Sequence, residues 1–169
     1  MKTLLITLAI ANLILISTSR AADTTARHAL TMDGARKVAE AAAAHAKANG
    51  AHGGSIAIVD EGGHLLHFVR LDGSFAASAN VAIGKARTSA TFRKPTKDFE
   101  DIINKGRFTM TALPDFTPLQ GGVPIVHEGH VIGAIGVSGA KSAQQDEDIA
   151  KAGAATLAET KTAANDPAR

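Results

Sequence analysis

Cysteine, tryptophan and tyrosine are absent from the 169 residues, and the aromatic content is six phenylalanines. Lack of cysteine excludes a disulfide framework, thiolate catalysis, Cys-based zinc sites and iron–sulfur clusters. Lack of tyrosine removes phenol chemistry. Charge of one sign does not dominate either, with 18 Lys and Arg against 16 Asp and Glu. No basic stripe interleaved with aromatics occurs, so nucleic acid is not an expected partner. Long apolar runs are also scarce. The one that exists, Leu4 to Ile16, is broken by Thr7 and Asn12 and falls short of the roughly 20 residues that span a bilayer.

That run has the three-part layout of a secretory leader: Lys2 before it, small residues after it, and Ser19 and Ala21 at the positions read by signal peptidase. Cleavage is expected after Ala21, with Ala22 as the near alternative to that site and a retained membrane anchor as the alternative to cleavage. The expected organisation is a signal peptide over 1–21, one domain over 22–169, and a periplasmic or secreted location. Loss of Lys2 and Arg20 leaves 16 basic residues against 16 acidic ones, so the mature formal charge is near zero. A domain of about 150 residues buries roughly 68–70% of its unfolded surface, enough to be stable without disulfides.

Along the chain, Thr31 is placed to cap a helix from Met32 to Asn49, closed by Gly50. Ala35, Val38, Ala39, Ala42 and Ala46 form its apolar stripe. Strands follow at Ser55–Val59 and His64–Leu71 around the turn Asp60-Glu61-Gly62-Gly63. In the second, Leu65, His67 and Val69 share one face, and Leu66, Phe68 and Arg70 the other. Apolar residues on both faces predict a sheet covered on both sides, by helices or another subunit. A helix over Ala77–Phe92 ends at Arg93-Lys94-Pro95, and Thr96 is placed to cap a shorter one from Lys97 to Asn104. Gly106–Thr117 reads as a loop. Val123–His127 and His130–Val137 form a second hairpin about Glu128-Gly129. The last helix runs from Ser142 to Thr160, with Asp146, Glu147 and Asp148 near the positive end of its dipole. The fold class is α/β of the α+β kind: an antiparallel sheet of four to five strands packed by helices, in the order α-β-β-α-α-β-β-α.

Candidate chemistry is sparse. Gly133, Gly136 and Gly139 are spaced as G-x-x-G-x-x-G, which is neither a dinucleotide fingerprint nor a P-loop. Inside a strand such glycines mark close approach of a helix, a ligand or another subunit. No G-x-S-x-G elbow surrounds Ser138. Among seven histidines no H-E-x-x-H or H-x-H occurs. His64 and His67, three apart on a strand, point to opposite faces, whereas His127 and His130 flank a turn and can converge. His67 is the polar member of an apolar face, which fits a satisfied core histidine or a cofactor contact. With cysteine and tyrosine missing, imidazole is the obvious donor for a haem iron. Lys85, Arg87, Arg93 and Lys94 read as a solvated helix face or as an anion site for propionates or a small carboxylate.

Three stretches resemble the GlcG/HbpS-like family, known as the haem-degrading domain. They are Ala57–Leu65 continuing to Arg70-Leu71-Asp72-Gly73; Ala82–Ala90 through Phe92 to Pro95-Thr96; and Gly121–Ile125 with Val131–Gly139 and Gln145-Asp146-Glu147. They lie in the family's order and cover nearly all of the mature chain. The resemblance implies a profilin-like fold and a homo-oligomer, from dimer to octamer. One family branch is secreted, binds haem and partners a sensor kinase, another is encoded beside glycolate-oxidation enzymes, and a third is fused to a cobalamin adenosyltransferase. By that resemblance Thr96 and His28 are the haem-linked positions and the metal ligands, and His67 and Arg93, from their own placement, are the further candidate cofactor contacts. The implied function is an exported haem-binding protein for storage, scavenging or redox sensing, acting with a sensor kinase or membrane partner. Two alternatives stay open: an enzyme or binder of a small glycolate-type acid, held by basic residues near Gly121-Gly122, and a ligand-free oligomeric module. Whether the chain is an enzyme is left open.

Overall fold

The computed structural model describes residues 25–51 and 53–158. The expected leader, His52 and the stretch from 159 onward lie outside the described residues. Helix α1 spans Met32–Ala48. Thr31 caps it as its sequence position demands, its hydroxyl accepting from the Gly34 N–H at 3.1 Å. The alanine-rich stripe is the buried face. Strands β1 (Ser55–Asp60) and β2 (Leu65–Arg70) form the first hairpin, and helices α2 (Ser78–Phe92) and α3 (Thr96–Asn104) lead to a short 3-10 turn at Phe108–Ala112. Strands β3 (Gly122–His127) and β4 (His130–Ser138) and helix α4 (Ala143–Ala154) complete the expected order.

The four strands are antiparallel in the order β2-β1-β4-β3. The helical crossover therefore carries the chain from one edge of the sheet to the other. Helices cover both faces. Ile56, Ile58, Ile125, Ile135 and Val137 meet α1 and α4 on one side, while Ala57, Val59 and Ala134 meet Ala82, Ala86 and Ala90 of α2 on the other. Each fully buried isoleucine contributes about 2 kcal/mol, so the first face supplies most of the hydrophobic stabilisation. The second face works by proximity instead. A Cβ at Gly136 would collide with the backbone of Ala82 and Ala86, so the glycine lets α2 lie directly on the sheet. The expected close approach at this position is thus to a packing helix.

Four details differ from the sequence expectation. The β1–β2 register shifts after Ile58, which pairs with His67 while Val59 pairs with Leu65. The extra residue, Leu66, turns to the larger core with Val69, while Phe68 packs on the α2 side. Helix α3 starts at Thr96, with Pro95 at the cap. Thr96 does not cap it but points inward. Helix α4 ends at Ala154, where the Thr156 hydroxyl donates to the Gly153 carbonyl at 2.8 Å and replaces the next helical turn. Finally, Lys85 of α2 is buried instead of lying on a solvated face, together with Asp146 and Glu147 of α4.

Candidate functional site

The β3–β4 turn gathers the imidazoles. His127 pairs with His130, and the two residues between them, Glu128 and Gly129, adopt φ of 48° and 75°. Both central residues of such a tight turn need positive φ, a requirement usually met by Asn, Asp or Gly. Glutamate at the first position is an exception, and its side chain reaches a partner. Glu128 Oε2 lies 3.0 Å from Nε2 of His28.

His28 comes from the extended segment ahead of α1. Leu30, two residues later, is buried in the larger core, and its Cδ2 would lie 3.1 Å from a Cβ at Gly133, a position closed chiefly by the Val59 carbonyl. Burial of Leu30 anchors the segment against the core, and His28 lies beside the turn, against Glu128. Its ring centroid is 5.8 Å from that of His127 and 5.7 Å from that of His130. His130 Nδ1 is 2.8 Å from the Glu128 carbonyl, and His127 Nδ1 is 3.3 Å from the Leu157 carbonyl. A carbonyl only accepts, so each Nδ1 donates, and in the neutral ring that tautomer places the lone pair on Nε2.

Beside this cluster a groove of about 360 Å³ is bordered by Arg27, His28, Glu61, Arg93, His130 and Val131. Arg93 ends α2 in the left-handed conformation, φ 56°, where glycine is usual. The β1–β2 turn reaches the same rim through Glu61, because β1 and β4 are antiparallel and Asp60 pairs with Gly133. The groove thus combines nitrogen donors, which suit a transition metal or haem iron, with guanidinium groups that suit carboxylates.

A second polar centre lies inside the fold. Lys85 Nζ donates to Asp146 Oδ2 at 3.0 Å and to the Val137 carbonyl at 2.9 Å, and Asp146 Oδ1 accepts from the Ala140 N–H at 2.9 Å. This is the cation nearest Gly121-Gly122: a Cβ at Gly121 would lie 2.9 Å from its Nζ. Its charge is met by Asp146, and Glu100 and Glu147 flank Gln120 alongside, with Glu100 Oε2 accepting the Gln120 N–H at 2.6 Å. Such an acid-rich surround disfavours an organic acid.

The family model described as haem degrading protein HbpS-like matches residues 30–155. The chain belongs to the HbpS-like family. Protein GlcG of Escherichia coli strain K12 is 48% identical over 84 residues, which is 50% of this chain and 63% of GlcG. The match thus spans less than two thirds of that relative's length. A crystal structure of a double mutant of Streptomyces reticuli HbpS superposes with a TM-score of 0.75 at 35% identity, covering 83% of this chain and 95% of that one. The PduOC:heme complex superposes with a TM-score of 0.69 at 25% identity, covering 77% and 96%.

Within this HbpS-like fold, two of the four residues singled out by sequence meet: His28 and Arg93 border one groove. His67 does not join them. It is half-buried on the outer strand β2, opposite Ile58. Thr96 is fully buried. Its hydroxyl donates to the Leu119 carbonyl at 2.6 Å and accepts the Gly122 N–H at 2.8 Å. The geometry gives this hydroxyl a structural role: it anchors the start of β3 and is closed off from solvent. The basic cluster Lys85, Arg87, Arg93 and Lys94 also disperses, with Lys85 internal and Arg87 3.4 Å from Asp115. Sequence reasoning missed Glu128. The signal available was a glutamate where a two-residue turn favours asparagine or glycine.

Proposed function

We propose that this chain is an exported haem-binding protein and that the groove beside the β3–β4 turn is its haem site. One observation carries the reading: His28 and Arg93, distant in sequence, border the same groove with His130 and Arg27. The residues present fit the group. Imidazole is a common protein ligand of haem iron, the guanidinium groups of Arg27 and Arg93 pair with propionate carboxylates, and Val131 adds apolar wall. The groove volume lies at the lower end for small-ligand sites and the groove is open to solvent, so it takes one edge of a flat macrocycle. A second copy of the chain would cover the remainder, in keeping with an oligomer. The superposition on the PduOC:heme complex supports the same ligand class.

When bound, haem supplies a redox-active iron. The chain's own residues hold it: His28 as the iron donor, its ring oriented by Glu128, and the two arginines as carboxylate anchors. Storage, scavenging and redox sensing outside the cytoplasm, the last with a sensor kinase or membrane partner, are the roles that follow from such a site and from the leader-like residues 1–21.

Hemin titration followed by absorbance tests the site. A saturable Soret shift is expected, weakened about tenfold or more in His28→Ala and to a lesser degree in Arg93→Ala. Wild-type protein that develops no Soret shift sinks the haem reading. Binding that is intact in both variants moves the site elsewhere.

A further inference from the structure

We infer that His28, His127 and Glu128 form a binding site for a divalent transition-metal ion of the zinc class, separate from any haem iron. One ligand atom from each of the three residues lies within 4.8 Å of the other two. A zinc-class ion takes nitrogen and carboxylate oxygen at about 2.0–2.2 Å, so tetrahedral ligand atoms sit roughly 3.3–3.5 Å apart by that geometry. The His28 Nε2–Glu128 Oε2 separation is already 3.0 Å. Small rotations of the exposed His28 and Glu128 side chains toward the half-buried His127 close the rest. Two imidazoles and one carboxylate are also a donor set that leaves a fourth position for water or a small ligand.

Two independent observations point the same way. The first lies behind a ligand. His127 Nδ1 faces the Leu157 carbonyl at 3.3 Å, and donation there is the outer contact that orients a metal-bound histidine and frees its Nε2. The second lies in the backbone. Glu128 holds a left-handed conformation, which costs a non-glycine residue on the order of 1–3 kcal/mol. Glycine or asparagine would avoid most of that cost but would provide no carboxylate. His130 secures the same strained residue by bonding its carbonyl at 2.8 Å.

The three ligands come from the segment before α1, the end of β3 and the hairpin turn, so an ion there ties the N-terminal arm to the sheet. The site shares His28 with the proposed haem groove but does not depend on haem. Where both ligands bind, they compete for that ring.

Untagged, chelator-treated protein titrated with Co2+ and Zn2+ tests the site. One equivalent of Co2+ should produce the visible bands of a four-coordinate ion, Zn2+ should displace it, and Zn2+ alone should raise Tm, since it binds only the native arrangement. His127→Ala and Glu128→Gln should each weaken Zn2+ binding at least about tenfold, as the loss of even an outer contact does, while hemin binding persists in His127→Ala. His127→Gln serves if His127→Ala fails to fold. The site is refuted by wild-type protein that takes up no stoichiometric ion. It is equally refuted if folded His127 and Glu128 variants bind as wild type does. Metal uptake without any Soret shift would retain this site and remove the haem proposal, and the reverse pattern would do the opposite.

Discussion

Lys85 Nζ and Asp146 Oδ2 lie 3.0 Å apart with side chains only 4% and 8% exposed, joining α2 to α4 across the end of β4. Removal of one partner leaves a charge without compensation in the interior. Lys85→Met is expected to lower stability by about 3–5 kcal/mol, measured as the shift in a urea unfolding curve. The double variant Lys85→Met/Asp146→Leu should recover part of that loss, because neither charge remains. Recovery stays incomplete, since the Ala140 N–H loses its acceptor, at about 1–3 kcal/mol. A single variant as stable as wild type would show that the pair is not buried in solution.

Thr96 tests a similar point without charge. Thr96→Val preserves shape but leaves the Gly122 N–H and the Leu119 carbonyl without their partner, and should cost about 1–3 kcal/mol. Thr96→Ser retains the hydroxyl and should cost less. Hemin affinity should follow neither change in the folded protein. A selective loss of the Soret shift in Thr96→Val, at unchanged stability, would restore Thr96 as a direct haem contact.

Asp60 makes the first hairpin pH-sensitive. Burial alone would raise its pKa, but the His64 N–H and Gly62 N–H, both at 2.9 Å, and the adjacent His64 ring outweigh burial and hold it below the ordinary carboxylate value. A depressed carboxylate adds stability above its unfolded pKa, roughly 3.9, and loses it as pH falls through the lower folded value. The stability gap between wild type and Asp60→Asn should therefore be constant near neutrality and close progressively below about pH 4. A gap that does not change down to pH 2 would remove this role.

Local signals made much of the fold legible. Thr31 capping α1, the alanine stripe, both hairpins and the glycines under α2 each act within a few residues or at a fixed period. What escaped was non-local. Lys85 is buried while Arg87, the other cation of its helix, is half-exposed beside Asp115, and the partner of Lys85 lies 61 residues later. Thr96 follows a proline at the start of a helix, as a capping residue would, yet bonds to Gly122. In the candidate site, the single turn between His127 and His130 shows from sequence that the two can converge. His28 meets them through its pairing with Glu128 and the burial of Leu30 two residues later, which no periodicity records.

The sheet's two borders are not equivalent. Pro124 lies on β3, which has β4 as its only neighbour, and proline there withholds an amide hydrogen from the open side. β2, with no proline, presents an ordinary outer edge. An edge interrupted by proline pairs less readily with a further strand, so of the two borders β3 is the one protected against unwanted strand addition.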